Sequence, residues 1–183
     1  MTRLKNIFVP LLSLALLFAT TTTILALTPP RPTPTPPRPT SSYELFWPIV
    51  AGKLPNDPLY FLKSFKEQIS LILSFDSLKK SDLYLELSKK RLVETEALIN
   101  QSNLPLAAQT IEKSALLLEN SVQIIKQTNT ESSKLNEIKQ RIIREGDNEL
   151  YFLNLLTEKL HQDEQAPFQD ASEKFKQSLE NLK

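Results

Sequence analysis

Few residues in this chain could do chemistry, and their spacing is poor for it. His161 is the one histidine among 183 residues, beside Asp163 and Glu164 near a helix end. A metal site needs ligands at fixed spacing, and no second histidine stands four residues away. A solvated surface histidine is expected. Glu94 and Glu96 could be read as paired carboxylates. Two residues apart on a helix they point to different faces and cannot share a proton. The run Lys89-Lys90-Arg91 reads as a solvated helix face rather than a phosphate site. There is no Gly-rich phosphate loop and no G-x-S-x-G elbow. With no cysteine, disulfides, thiolate metal sites and cysteine nucleophiles are excluded, while the redox compartment stays open. The expectation is a protein with no catalytic residue, no metal and no cofactor.

The elements that would have to position any site are helical. Gly52 and Gly146 are the only glycines. Hairpin-rich sheets need residues at positive φ, which glycine usually supplies, so a β fold is disfavoured. Leu, Lys, Glu, Gln and Ser dominate after Tyr43, as amphipathic helices require. The net charge of +1 hides an asymmetry: residues 1–40 carry Arg3, Lys5, Arg31 and Arg38 and no acid. The remainder is mildly acidic, which is not an electrostatic footprint for nucleic acid.

After the basic tail Met1 to Asn6, residues 7–27 are an uncharged run. As a helix it would span roughly 32 Å, close to a bilayer core. Arg3 and Lys5 would hold the tail in the cytoplasm and leave the rest outside. Residues 1–27 thus read as a signal anchor or a signal peptide, with Ala26 the last residue of a passable cleavage site. Residues 28–42 form a Pro/Thr-rich linker: seven of the thirteen prolines lie in Thr28 to Thr40. Proline favours an extended rod, so a spacer is expected, with a ligand for a proline-binding module as the rival. Ser41 to Lys53 reads as apolar and irregular, with Tyr43, Phe46 and Trp47 placed in the core or at a membrane interface.

Residues 43–183 are expected to form the domain. Asp57-Pro58 opens a helix on which Leu62, Phe65, Ile69 and Ile72 share one face. Asp76 or Ser77 caps a second helix after almost no linker, so the two should fold back on each other. Leu78, Leu85, Leu92 and Ile99 recur there at steps of seven. The third helix has the clearest pattern. Leu104, Ala108, Ile111, Ala115, Leu118, Val122 and Ile125 alternate steps of four and three, a seam for an adjacent helix or for a partner. Leu135, Ile138 and Ile142 begin a fourth helix, which Gly146-Asp147-Asn148 either interrupts or bends. Phe168, Phe175, Leu179 and Leu182 suggest a short last helix prone to fraying. No buried polar residue is expected to recur within these stripes. The fold class expected is all-α: an antiparallel bundle of four to five helices behind the signal anchor and the linker.

The opening residues Pro55, Asp57, Pro58, Leu59, Tyr60, Leu62 and Lys63 fit P-x-[SND]-P-L-Y-x-L-K. Leu71, Phe75 and Asp76 follow, and Leu85, Leu87, Arg91, Leu92, Glu94 and Glu96 fit L-x-L-x-x-x-R-L-x-E-x-E. On these residues the chain resembles a bacterial domain-of-unknown-function family, with a family-like core at 54–99. The resemblance implies an extracytoplasmic, membrane-tethered or secreted helical domain, without functional residues to carry over. Some relatives look like the outer half of transmembrane anti-sigma factors, from which this chain departs because Met1 to Asn6 cannot house a sigma-binding domain. The function expected is a non-catalytic interaction or structural module of the cell envelope, single-pass in the cell membrane through residues 7–27. An envelope protein is its candidate partner, and the oligomeric state is open. The alternative is a sensory or ligand-binding helical domain, anchored or secreted after cleavage near Ala26.

Overall fold

The computed structural model describes residues 39–128 and 132–183. The apolar run at 7–27 and most of the linker lie outside the described residues. Six α-helices follow in order: α1 Ser42–Phe46, α2 Tyr60–Leu73, α3 Ser77–Asn100, α4 Leu104–Gln127, α5 Ser133–Glu158 and α6 Ala166–Glu180, with a 3₁₀ turn at Gln162–Glu164 before the last. The described residues contain no strand, and no helix among them is long and apolar enough to cross a membrane. Residues Pro39–Lys183 form one compact unit. The segment read as irregular contains α1, capped by Ser41.

Local chemistry sets the boundaries. The Asp76 side chain accepts from the backbone N–H of Leu78 at 2.9 Å and so starts α3. Asp57 bonds the Leu59 N–H at 2.8 Å, and regular helix begins only at Tyr60. The α3–α4 turn is three residues long, with Ser102 at φ 58° and the Asn103 N–H returning to the Leu98 carbonyl at 2.9 Å. Ser132 caps α5 through the Leu135 N–H at 3.1 Å. Helix α5 runs without a break through Gly146.

The helices form two layered hairpins, α3/α4 and α5/α6. Ser81 faces Ser121 and Ser88 faces Ser114, so α3 and α4 are antiparallel. Ser172 bonds Asn154 at 2.9 Å while Leu179 lies against Gly146, so α5 and α6 are antiparallel too. Between the hairpins the sense reverses. Asp82 meets Arg141 and Lys89 meets Glu145, so α3 and α5 run parallel. A cleft joining Ala108 and Glu112 to Pro167, Asp170 and Lys174 shows that α4 and α6 run parallel. Successive helices are therefore antiparallel, as expected from their short connections, while the helices that pack across the two hairpins, α3 on α5 and α4 on α6, run parallel. Sequence periodicity reports which face of a helix is apolar, not the direction of the neighbour that covers it.

The core lies between these layers. Leu85, Leu92 and Leu98 of α3 pack with Ile111, Leu118 and Val122 of α4, Ile142, Phe152, Leu153 and Leu156 of α5, and Phe168, Phe175 and Leu179 of α6. Phe46 of α1 meets Phe152 edge to face at 5.5 Å. Three of the largest fully buried side chains are Phe152, Phe168 and Phe175, so α6 is a core element and not a fraying tail. Gly146 permits its close approach: a Cβ there would come within 2.5 Å of the Leu179 side chain.

Candidate functional site

The largest surprise is α2, which is turned inside out. Phe61, Leu62, Phe65, Ile69, Ile72 and Leu73 occupy one arc of about 120° at 100° per residue. That arc points to solvent, with exposures between 38% for Ile69 and 71% for Ile72, and no residue of α2 is buried. Phe75, just beyond the helix, is 91% exposed. The polar face, Tyr60, Lys63, Ser64 and Glu67, is turned inward instead, with Leu71 beside it. The face expected to join the core is the one left bare.

An ionic cluster holds α2 this way round. Lys63 Nζ donates to Glu94 Oε1 at 2.5 Å and reaches the carbonyl oxygens of Ala51 and Lys53. Arg91 bridges Glu67 of α2 and Glu94 of its own helix. The Tyr60 hydroxyl donates to Glu94 at 3.1 Å, and the Arg91 guanidinium lies 5.6 Å from the Tyr60 ring centre. The cations of Lys63 and Arg91 meet the carboxylates of Glu67 and Glu94, and Lys90 adds a looser pair to Glu67 at 4.0 Å. Burial raises the Tyr60 phenol well above its ordinary range, and it stays protonated. Burial works against the charge on Arg91, but Glu94 and Glu67 outweigh it and keep the guanidinium charged. With Glu94 wholly inaccessible, loss of either cation would leave a buried carboxylate underpaired, at a cost of about 3–5 kcal/mol.

A second polar system runs through α3 and α4. Ser81 and Ser121 exchange hydroxyl-to-carbonyl bonds, each at 2.9 Å. Seven residues on, Ser114 donates to the Ser88 carbonyl at 2.8 Å, and Ser88 to the Ser114 carbonyl at 3.0 Å. These small side chains let the helices approach closely while satisfying every hydroxyl. Ser88 Oγ also lies 2.5 Å from Glu149 Oε2 on α5. Ser88 has one proton for two acceptors, and a protonated Glu149 that donates to Ser88 satisfies both. Burial pushes this carboxyl up to about 8, against the pull of Ser88 and Lys89, and its second oxygen has no partner. Beside it Lys89 bonds Glu86 at 2.5 Å and Glu145 at 2.6 Å. Burial opposes the Lys89 charge, yet these two carboxylates hold its pKa above the ordinary value. A cleft of about 360 Å³ opens over Glu86, Lys89 and Glu145, walled by Leu45 to Ile49.

The residues singled out in the sequence are distributed as follows. Ile111, Ala115, Leu118, Val122 and Ile125 are buried within this chain, and Leu104 and Ala108 pack at the margin of the same core. The seam thus faces the other helices of the domain. His161 is exposed, its N–H bonded to Glu164 at 3.1 Å. Glu158 stands three residues before it, but α5 ends at Glu158, so the pair lacks a common helix face. Glu94 and Glu96 do diverge: Glu96 binds the backbone N–H and hydroxyl of Ser42. The charge run is not a solvated face, since Lys89 and Arg91 are buried and ion-paired. Tyr43 and Trp47 are exposed and only Phe46 enters the core. The four serines were the missed signal: 81 and 88, like 114 and 121, are spaced by seven, a buried polar repeat inside stripes expected to be purely apolar.

These features define an all-helical domain of two layered hairpins, with an amphipathic helix strapped across the first by its polar side. The chain belongs to the family described as Domain of unknown function (DUF5667), whose model matches residues 52–145, just over half of its length. That span takes in α2, α3, α4 and the first half of α5, and with them the whole ionic cluster. No curated protein and no solved structure matches the chain.

Proposed function

We propose that this protein is a membrane-tethered, extracytoplasmic interaction module of the bacterial cell envelope, without catalytic activity. The observation that carries this reading is the apolar arc of α2, presented to solvent by a buried ionic cluster. A face held outward by internal ion pairs is suited to contact rather than to packing. The uncharged run at 7–27 and the Pro-rich linker support the placement. Fractionation of intact cells with in-cell cross-linking tests it. Retention in carbonate-washed membranes, with cross-links concentrated in residues 59–75, is the expected result. Recovery in the medium, shortened near Ala26, would overturn the tether. A second reading, a sensory or ligand-binding domain, is favoured by the cleft over Lys89, Glu86 and Glu145. A thermal-shift screen with small charged envelope metabolites would support it by stabilisation that Lys89→Met abolishes.

A further inference from the structure

The α2 arc needs an occupant, and we infer that it is the surface of a lipid bilayer. The inference rests on the tethered reading above and names what that face meets. Six apolar side chains at these exposures offer on the order of 600 Å², the top of the range for the largest patch on a monomer. Phenylalanine, leucine and isoleucine on one side, with charge confined to the flanks, is the composition of a helix lying in the interface plane. Lys66 borders the arc and no acidic residue lies on it.

Charge favours lipid over a second copy of the chain. Lys66 lies at the middle of α2. In a two-fold antiparallel pairing of α2 helices it would stand beside its own symmetry mate, with no carboxylate on the arc to pair it. A bilayer surface supplies phosphates there instead. Chain length agrees: as a polyproline rod the 11 residues from 28 to 38 would span roughly 34 Å. A face confined that near the surface has an effective concentration in the millimolar range, so weak partitioning suffices to keep it docked.

The absence of cysteine makes the test clean, because single-cysteine labels are unique. The full chain is reconstituted into phosphatidylcholine vesicles containing phosphatidylglycerol, with an environment-sensitive dye at Ile69→Cys or, as control, at the exposed Gln177→Cys on α6. Vesicle flotation reports the tether, and quenching by nitroxide lipids reports the face. Flotation with at least twofold stronger quenching at 69 than at 177, lost in Phe61→Ser/Phe65→Ser/Ile72→Ser, supports the inference. Flotation with equal quenching at both sites overturns it and leaves the tether standing. A dye at 69 that self-quenches with rising protein density but ignores nitroxide lipid assigns the face to a second copy, and also overturns it. Failure to float removes the tether and the inference together.

Discussion

Glu149 makes the fold sensitive to pH across the neutral range. Its carboxyl titrates near 4.5 in the unfolded chain and at about 8 in the folded one. Between those values the unfolded state has released the proton and the folded state still holds it. Stability therefore falls as pH rises, by about 1.4 kcal/mol per pH decade, and is level below the lower value and above the upper one. The whole span amounts to something on the order of 5 kcal/mol, a large share of the 5–15 kcal/mol typical of a domain. The groups bearing on it are Ser88 and Lys89, which stabilise the ionised form, and Glu145 and Glu86, which oppose it. Lys89 remains charged throughout, so it does not mask the effect. Glu149→Gln keeps the shape and removes the titration. Urea denaturation at pH 5, 7 and 9 should show the variant about 1 kcal/mol less stable at pH 5, because one buried amide N–H lacks an acceptor. At pH 9 the order should invert, with the variant ahead by several kcal/mol. Stability curves that run parallel from pH 5 to 9 would refute the protonated-carboxyl argument.

Glu94→Ala should release α2 without unfolding the hairpins: hydrogen exchange in 60–73 should rise to that of an unstructured peptide while α3 and α4 stay protected. Gly146→Ala should destabilise by about 1–2 kcal/mol despite gaining roughly 1 kcal/mol of helix propensity, because the new Cβ meets Leu179; Leu179→Ala in the same chain should make the two changes non-additive in calorimetry. Ser121→Leu should wedge α3 from α4 and lower the melting temperature by ten degrees or more, whereas Ser121→Ala should cost only about 1–2 kcal/mol. Ile69→Ser should leave the melting temperature within two degrees, and Ile111→Asp should abolish folding; equal effects would mean that the arc is core after all.

The helices were legible because their signals are local. Asp76 marks the start of α3, and the steps of three and four from Leu104 to Ile125 trace a face that is buried. The orientation of α2 was not legible, since its stripe of Leu62, Phe65, Ile69 and Ile72 is indistinguishable from a core stripe. What reverses it is non-local: Arg91 and Glu94, 24 and 31 residues from their partners, offer ion pairs to Glu67 and Lys63 that the apolar face cannot make. The same blindness hid the Lys89 and Arg91 pairings, because a charge run looks solvated until Glu145 and Glu67 arrive from other helices. Read alone, Ser88 is an ordinary polar residue. Its role appears only with Ser114 opposite and Glu149 above.

The way the chain enters the domain fixes where a mechanical load would go. The Pro39 carbonyl accepts from the Tyr151 hydroxyl at 3.1 Å, Ser42 is bonded to Glu96, and Phe46 is embedded beside Phe152. Tension arriving from the linker is handed to α3 and α5 before it reaches the loop that leads to α2. A pull applied at Pro39 would peel α1 first and leave the outward helix unstrained. The exposed arc of α2 and the point where the chain enters the domain are thus on separate force paths, and a load on one leaves the other in place.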